Sequence, residues 1–129
     1  MSLHVHRVTT RIRNPQFASL RSQAFRAAMS IPANIAEGRR QTTDAQFGRY
    51  LGYGLNSASE LEYHLIVARD TGIITEDEFA TLAAQTISVR KMLYTLIKRL
   101  PPHHQTANPQ TPPRKARSYQ PVRPRAACR

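Results

Sequence analysis

With 129 residues, 19 lysines and arginines against eight acids, and a formal net charge of +11, the chain is a strongly basic polypeptide with room for one domain. Its one cysteine, Cys128, excludes an intramolecular disulfide and a thiolate metal cage. No stretch reaches the roughly 18 consecutive apolar residues of a membrane span, and the first residues lack the apolar run of a secretory signal, so a cytoplasmic protein with no membrane role is expected.

Residues 1–16 mix Arg7, Arg11 and Arg13 with isolated apolar residues and show only a weak alternation at Leu3 and Val5, so the expectation is an irregular basic segment. A helical stripe then begins. Leu20, Ala24, Ala27, Ala28, Ile31 and Ile35 share one face and predict a helix over 17–38, ending at Gly38, with Pro32 predicting a kink or a restart capped by Ser30. Arg39 and Arg40 fall in the following turn, where guanidinium groups can meet phosphate or simply face water.

The second helix is predicted over 43–71, from Phe47, Leu51, Gly54, Ala58, Leu61, Leu65 and Ala68 at alternating steps of four and three. Thr43 with Gln46 forms a capping-box pattern at its start, and Gly72 suits a left-handed cap after its end. The third is predicted over 75–100, with Phe79, Leu82, Thr86, Val89, Leu93, Leu96 and Leu100 on one face. Thr75 and Glu78 form its capping box, acids at its start and Lys98 and Arg99 at its end match the macrodipole, and Pro101 stops it.

Both long helices carry a second apolar stripe, Tyr50, Leu55 and Ile66 on one and Ile87, Tyr94 and Ile97 on the other. Three helices cannot cover it, so self-association is expected. From Pro101 onward lie seven of the nine prolines and few large apolar residues, a composition that predicts a disordered basic tail over 101–129. Residues 1–26 and 101–129 carry five and six basic residues and no acid, which together make up the whole excess, while the body between is formally neutral. Termini of that kind suit a polyanion through counterion release.

Chemistry beyond binding finds little support in the residues. Gly48, Gly52 and Gly54 sit inside a helix, where they suit close helix packing rather than a phosphate loop. Glu60 and Glu62 point to different helix faces, a poor arrangement for paired acid and base. His4 with His6 and His103 with His104 lack a third ligand, and His64 reads as a solvated helix residue, so no metal, cofactor or small-molecule substrate is expected. Aromatic residues for stacking single-stranded bases are scarce, Tyr53, Tyr63 and Tyr119 being the only candidates not needed for the predicted core, so sequence-specific base reading is not indicated.

The run Arg26-Ala27-Ala28-Met29-Ser30-Ile31-Pro32-Ala33-Asn34-Ile35-Ala36-Glu37-Gly38 resembles the signature segment of the four-helix-bundle family of 23S rRNA intervening-sequence proteins. That family includes proteins similar to the accessory variability factor of diversity-generating retroelements. The likeness continues through Phe47-Gly48-Arg49-Tyr50-Leu51, Glu60-Leu61-Glu62, Leu65-Ile66-Val67-Ala68 and Lys91-Met92-Leu93. It implies an antiparallel bundle that forms a homo-oligomer, a pentamer, without catalytic residues, and nucleic acid or a reverse transcriptase as partner. Family members have a long first helix; only 19 residues precede Leu20 here, so a missing first helix and an open apolar groove are expected.

The reading is therefore an all-α, antiparallel helical bundle over 17–100 that oligomerises. It is a non-enzymatic accessory protein that holds RNA or DNA backbone without base specificity through Arg7, Arg11, Arg13, Arg39, Arg40, Arg114, Lys115, Arg117, Arg123 and Arg125. The alternative is a protein-interaction scaffold, such as a reverse-transcriptase accessory subunit, with no direct hold on nucleic acid.

Overall fold

The computed structural model describes residues 1–102, and these are all-helical. Helix α1 spans Ser2–Thr10, a 3-10 turn spans Pro15–Phe17, and α2, α3 and α4 span Ala18–Gly38, Asp44–Asp70 and Glu76–Arg99. The three long helices lie within a residue or two of their expected ends. Helix α2 packs along α3, α3 along α4, and α1 rests on α2 and the near edge of α4.

The caps explain the boundaries. Thr43 Oγ1 accepts from the Gln46 amide at the start of α3, although the Gln46 side chain turns to the Thr43 hydroxyl rather than its backbone, so only half of that box forms. Thr75 and Glu78 complete the reciprocal box of α4. Gly72 takes φ +72°, the left-handed conformation that ends α3, with the Ile73 amide donating back to Ala68 O at 2.9 Å.

Ile31, Leu51, Leu61 and Leu82 are fully buried along the seams, and each such side chain contributes about 1.5–3 kcal/mol. Thr86, the polar interruption of the α4 stripe, is wholly buried and satisfied by donating to Leu82 O at 2.8 Å. Of the second stripes, Ile66, Ile87 and Tyr94 are exposed, while Tyr50, Leu55 and Ile97 are half-buried.

Two expectations are corrected. Residues 1–16 are not irregular, because Ser2–Thr10 is helical, with Val5 and Val8 buried and Leu3 turned to solvent. The apolar contact is one residue per turn, at Met1, Val5 and Val8, too sparse to read as a stripe. A nine-residue helix is also too short to persist alone, so its stability comes from docking. A first helix is therefore present, and it fills part of the expected groove.

Of the two outcomes expected at Pro32, the restart does not occur: α2 runs as one helix through it. Proline lacks the amide that would donate to the carbonyl four residues earlier, on Ala28, a residue with no exposed surface. The Ser2 hydroxyl donates to that carbonyl at 2.8 Å. Helix α1 thus supplies from outside the hydrogen bond that Pro32 withholds.

This substitution of donors predicts non-additivity. Ser2→Ala should cost about 1–3 kcal/mol in urea unfolding, the cost of an unsatisfied buried carbonyl. In a Pro32→Ala background, where a backbone amide returns, most of that cost should vanish. An equal loss in both backgrounds would contradict the assignment.

Candidate nucleic-acid interface

The turn after α2 is built by backbone bonding: the Arg39 amide donates to Ile35 O, Arg40 to Glu37 O and Gln41 to Gly38 O, each at 3.1 Å. Gln41 Nε2 also donates to Glu37 O at 3.1 Å. The guanidinium groups of Arg39 and Arg40 are left facing solvent. This turn begins close against α3: a Cβ on Gly38 would stand 2.8 Å from Tyr50 Cβ and 3.0 Å from the Phe47 ring.

Helices α3 and α4 run antiparallel, with Gly48 opposite Leu100 and Gly54 opposite Leu93. That register brings Arg49, Lys98 and Arg99 to the same end of the bundle as Arg39 and Arg40. Arg49 and Lys98 line one shallow depression there with Pro101 and Pro102, and Arg39 lines its neighbour, the two meeting at Asp44. All five cations are exposed, and among the described residues none is in an ion pair. Glu37 and Asp44 are the carboxylates at this end. Lys98 and Arg99 also complement the α4 macrodipole, so part of their role is structural.

The opposite end is different. The Arg11 guanidinium pairs with Glu78, the Arg21 side chain donates to Ile12 O at 2.6 Å, and Asp70, Glu76 and Asp77 stand close by in sequence and fold. Arg7 and Arg13 are exposed here. Arg11 and Arg13 are separated from Arg39 and Arg40 by the 21-residue length of α2, about 30 Å. The arginines expected to act together therefore divide between two ends, one of them rich in acids. Arg114, Lys115, Arg117, Arg123 and Arg125 lie outside the described residues, as does the expected tail from 103 onward.

Arg49, Lys98 and Arg99 were not expected in the interface. Their separation in sequence hides them, and only the antiparallel register of α3 and α4 reveals the cluster. His64 corrects another reading: it is buried rather than solvated, with Nε2 at 3.4 Å from Glu60 Oε1. Position 64 flanks the Leu61–Leu65–Ala68 stripe, and that stripe is wide enough to bury it.

Thr75's backbone amide donates to the Glu78 carboxylate and, more than the neighbouring Arg11, holds it below the usual glutamate range, while burial opposes the shift. A carboxyl depressed on folding contributes stability that is present above its unfolded pKa and is lost as pH falls through the folded one. Glu78→Gln keeps an oxygen acceptor but removes the charge. Wild type should therefore lose stability more steeply than Glu78→Gln between about pH 5 and about pH 3. Parallel pH profiles in chemical denaturation would contradict this.

Among the described residues no helix is long and apolar enough to cross a membrane, and no cluster of three metal-ligating side chains occurs. A family model described as 23S rRNA-intervening sequence protein matches residues 1–95. No curated protein matches. Among solved structures, the chain is similar to a protein with unknown function from the S23 ribosomal protein family of Bacteroides thetaiotaomicron VPI-5482. The two are 26% identical with a TM-score of 0.71, and the match covers 75% of this chain and 91% of that one.

Proposed function

This chain belongs to the family of 23S rRNA-intervening sequence proteins, and we propose that it is a cytoplasmic, non-enzymatic accessory protein that holds the phosphate backbone of RNA or DNA without reading base sequence. The observation that carries this reading is the cationic end: Arg39, Arg40, Arg49, Lys98 and Arg99 stand at one end of the bundle, exposed and without ion pairs among the described residues. Charges so arranged neutralise phosphates and release counterions, a mechanism that needs no base contact. Residues 103–129 follow α4 from this same end and carry Arg114, Lys115, Arg117, Arg123 and Arg125 in a stretch without acids. No catalytic group is assigned, since Glu78, whose carboxyl is perturbed, is used in a helix cap and an ion pair.

The protein acts as a homo-oligomer in this reading, which repeats the cationic end and multiplies the phosphate contacts. Met29, Tyr53, Tyr63, Met92 and Leu96, all exposed, supply apolar surface for such contacts. The same surface favours the second reading, a scaffold that recruits a protein such as a reverse transcriptase, which alone would hold the nucleic acid.

Fluorescence anisotropy with labelled RNA and the full chain separates the two. With about six phosphates contacted, affinity should fall roughly a thousandfold between about 50 and about 200 mM salt. Arg39→Ala with Arg40→Ala should lower the slope of log affinity on log salt by about one to two. Affinity indifferent to salt, or unchanged in the double variant, would contradict the cationic-end assignment. Removing 103–129 should further weaken RNA binding, whereas the scaffold reading predicts that a protein complex survives the deletion intact.

A further inference from the structure

The exposed face where α3 and α4 meet continues directly from the cationic end. Along α4 it carries Ile87, Lys91, Tyr94 and Lys98 at helical spacing, and along α3 it carries Arg49, Gly52, Asn56 and Ser59. A groove of about 540 Å³ runs between them, walled by Leu55, Ile87 and Tyr94 and edged by Asn56, Ser59 and Lys91. Tyr94 is 55% exposed, a large ring left open to solvent beside apolar walls. Lys98 Nζ stands 5.4 Å from the centre of that ring. Gly52, one turn from both Arg49 and Leu55, has nothing within 4 Å of where a Cβ would be, so it leaves an open shelf between the cations and the groove.

The unpaired charge on this face is mainly positive. Arg49, Lys91 and Lys98 are in no ion pair among the described residues; Glu62, which lines the groove, is neutralised by Arg90, and Asp44 shares the depression of Arg49 and Lys98 at its far end. A second copy docked here about a two-fold axis would set these cations against their own equivalents, and one docked head to tail in a ring would have to bring an acidic face to them. A polyanion complements them directly. An exposed aromatic ring has no use against a stacked duplex, whose bases present no free face, but it stacks readily on an unpaired base.

We infer that the α3–α4 face is a single-strand track, on which an unpaired base of RNA or DNA stacks on Tyr94 while the flanking phosphates meet Lys91, Lys98 and Arg49. Asn56, exposed and without a side-chain hydrogen bond among the described residues, faces the same groove and offers its amide to a base edge. The inference rests on the nucleic-acid reading above and gives it a substrate class, since the cationic end alone would hold duplex and single strand alike.

The test uses the full chain and three labelled probes of equal length: oligo(U), oligo(dT) and an RNA duplex. Both single strands should bind more tightly than the duplex; oligo(U) alone doing so would mark an RNA-specific track. Tyr94→Ala should weaken the single strands about tenfold, the loss expected from one stack, and leave the duplex unchanged, while Tyr94→Phe should bind as wild type. Gln23→Ala, at an exposed position on α2 away from this face, should change nothing.

If Tyr94→Ala binds single strands within twofold of wild type while salt still governs affinity, the track is wrong and the broader reading stands. If none of the probes binds at low salt, the broader reading fails first. Should Tyr94→Ala instead change the mass of the assembly in light scattering, the face is a contact between copies and the inference is overturned.

Discussion

The structure depends on how closely α2 lies against α3. Two features set that distance. Gly38 places bare backbone against Tyr50 and Phe47, and further up the seam Asn34, Ser30 and Ser57 form a directed chain of hydrogen bonds. Asn34 Nδ2 donates to Ser30 Oγ at 3.0 Å, the two serine hydroxyls stand 2.9 Å apart, and Ser57 donates to Tyr53 O at 3.0 Å. Because each hydroxyl has one proton and that of Ser57 is committed to Tyr53, the Ser30 proton points to Ser57. The polarity of the chain is thereby fixed from Asn34 to α3.

This seam gives physical content to the Ser-Ile-Pro-Ala-Asn-Ile-Ala-Glu-Gly string that carries the family resemblance. Ile31 fills the core, Ser30, itself held by Asn34, bonds across to Ser57 of α3, Gly38 permits the close crossing, and Pro32 creates a vacancy on Ala28 that Ser2 of α1 occupies. One short motif thus joins three helices. It also governs the interface, since the turn bearing Arg39 and Arg40 begins at the residue pressed against Tyr50. With α4 antiparallel to α3, the distant Arg49, Lys98 and Arg99 arrive at the same place.

Much of the fold was legible in the residues, because long amphipathic stripes with matching caps leave few alternatives: the α3 stripe, the α4 stripe apart from Leu96, which is exposed while Ile97 packs against the core, and the Thr75–Glu78 box appear as expected. Helix α1 was not, since its one apolar residue per turn acquires meaning only when docked. The candidate site was half legible. Arg39 and Arg40 stand exposed at the expected turn, but Arg11 is engaged by Glu78 at the other end, a pairing between residues 67 apart in sequence. Tyr94 belongs with Ile87 to the second apolar stripe that three helices cannot cover, and its ring is open to solvent as that stripe predicts.

The claim that the close α2–α3 crossing organises the rest is tested most directly by a pair of glycine substitutions followed by urea unfolding. At Gly38 an added methyl meets Tyr50 and Phe47 at 2.8 and 3.0 Å, whereas at Gly52 it meets nothing within 4 Å. Gly38→Ala should destabilise the protein by about 1–3 kcal/mol through overpacking. Gly52→Ala should stabilise it by about 0.5–1 kcal/mol through helix propensity. If both alanines stabilise to the same extent, the crossing is not as tight as described and the account does not hold.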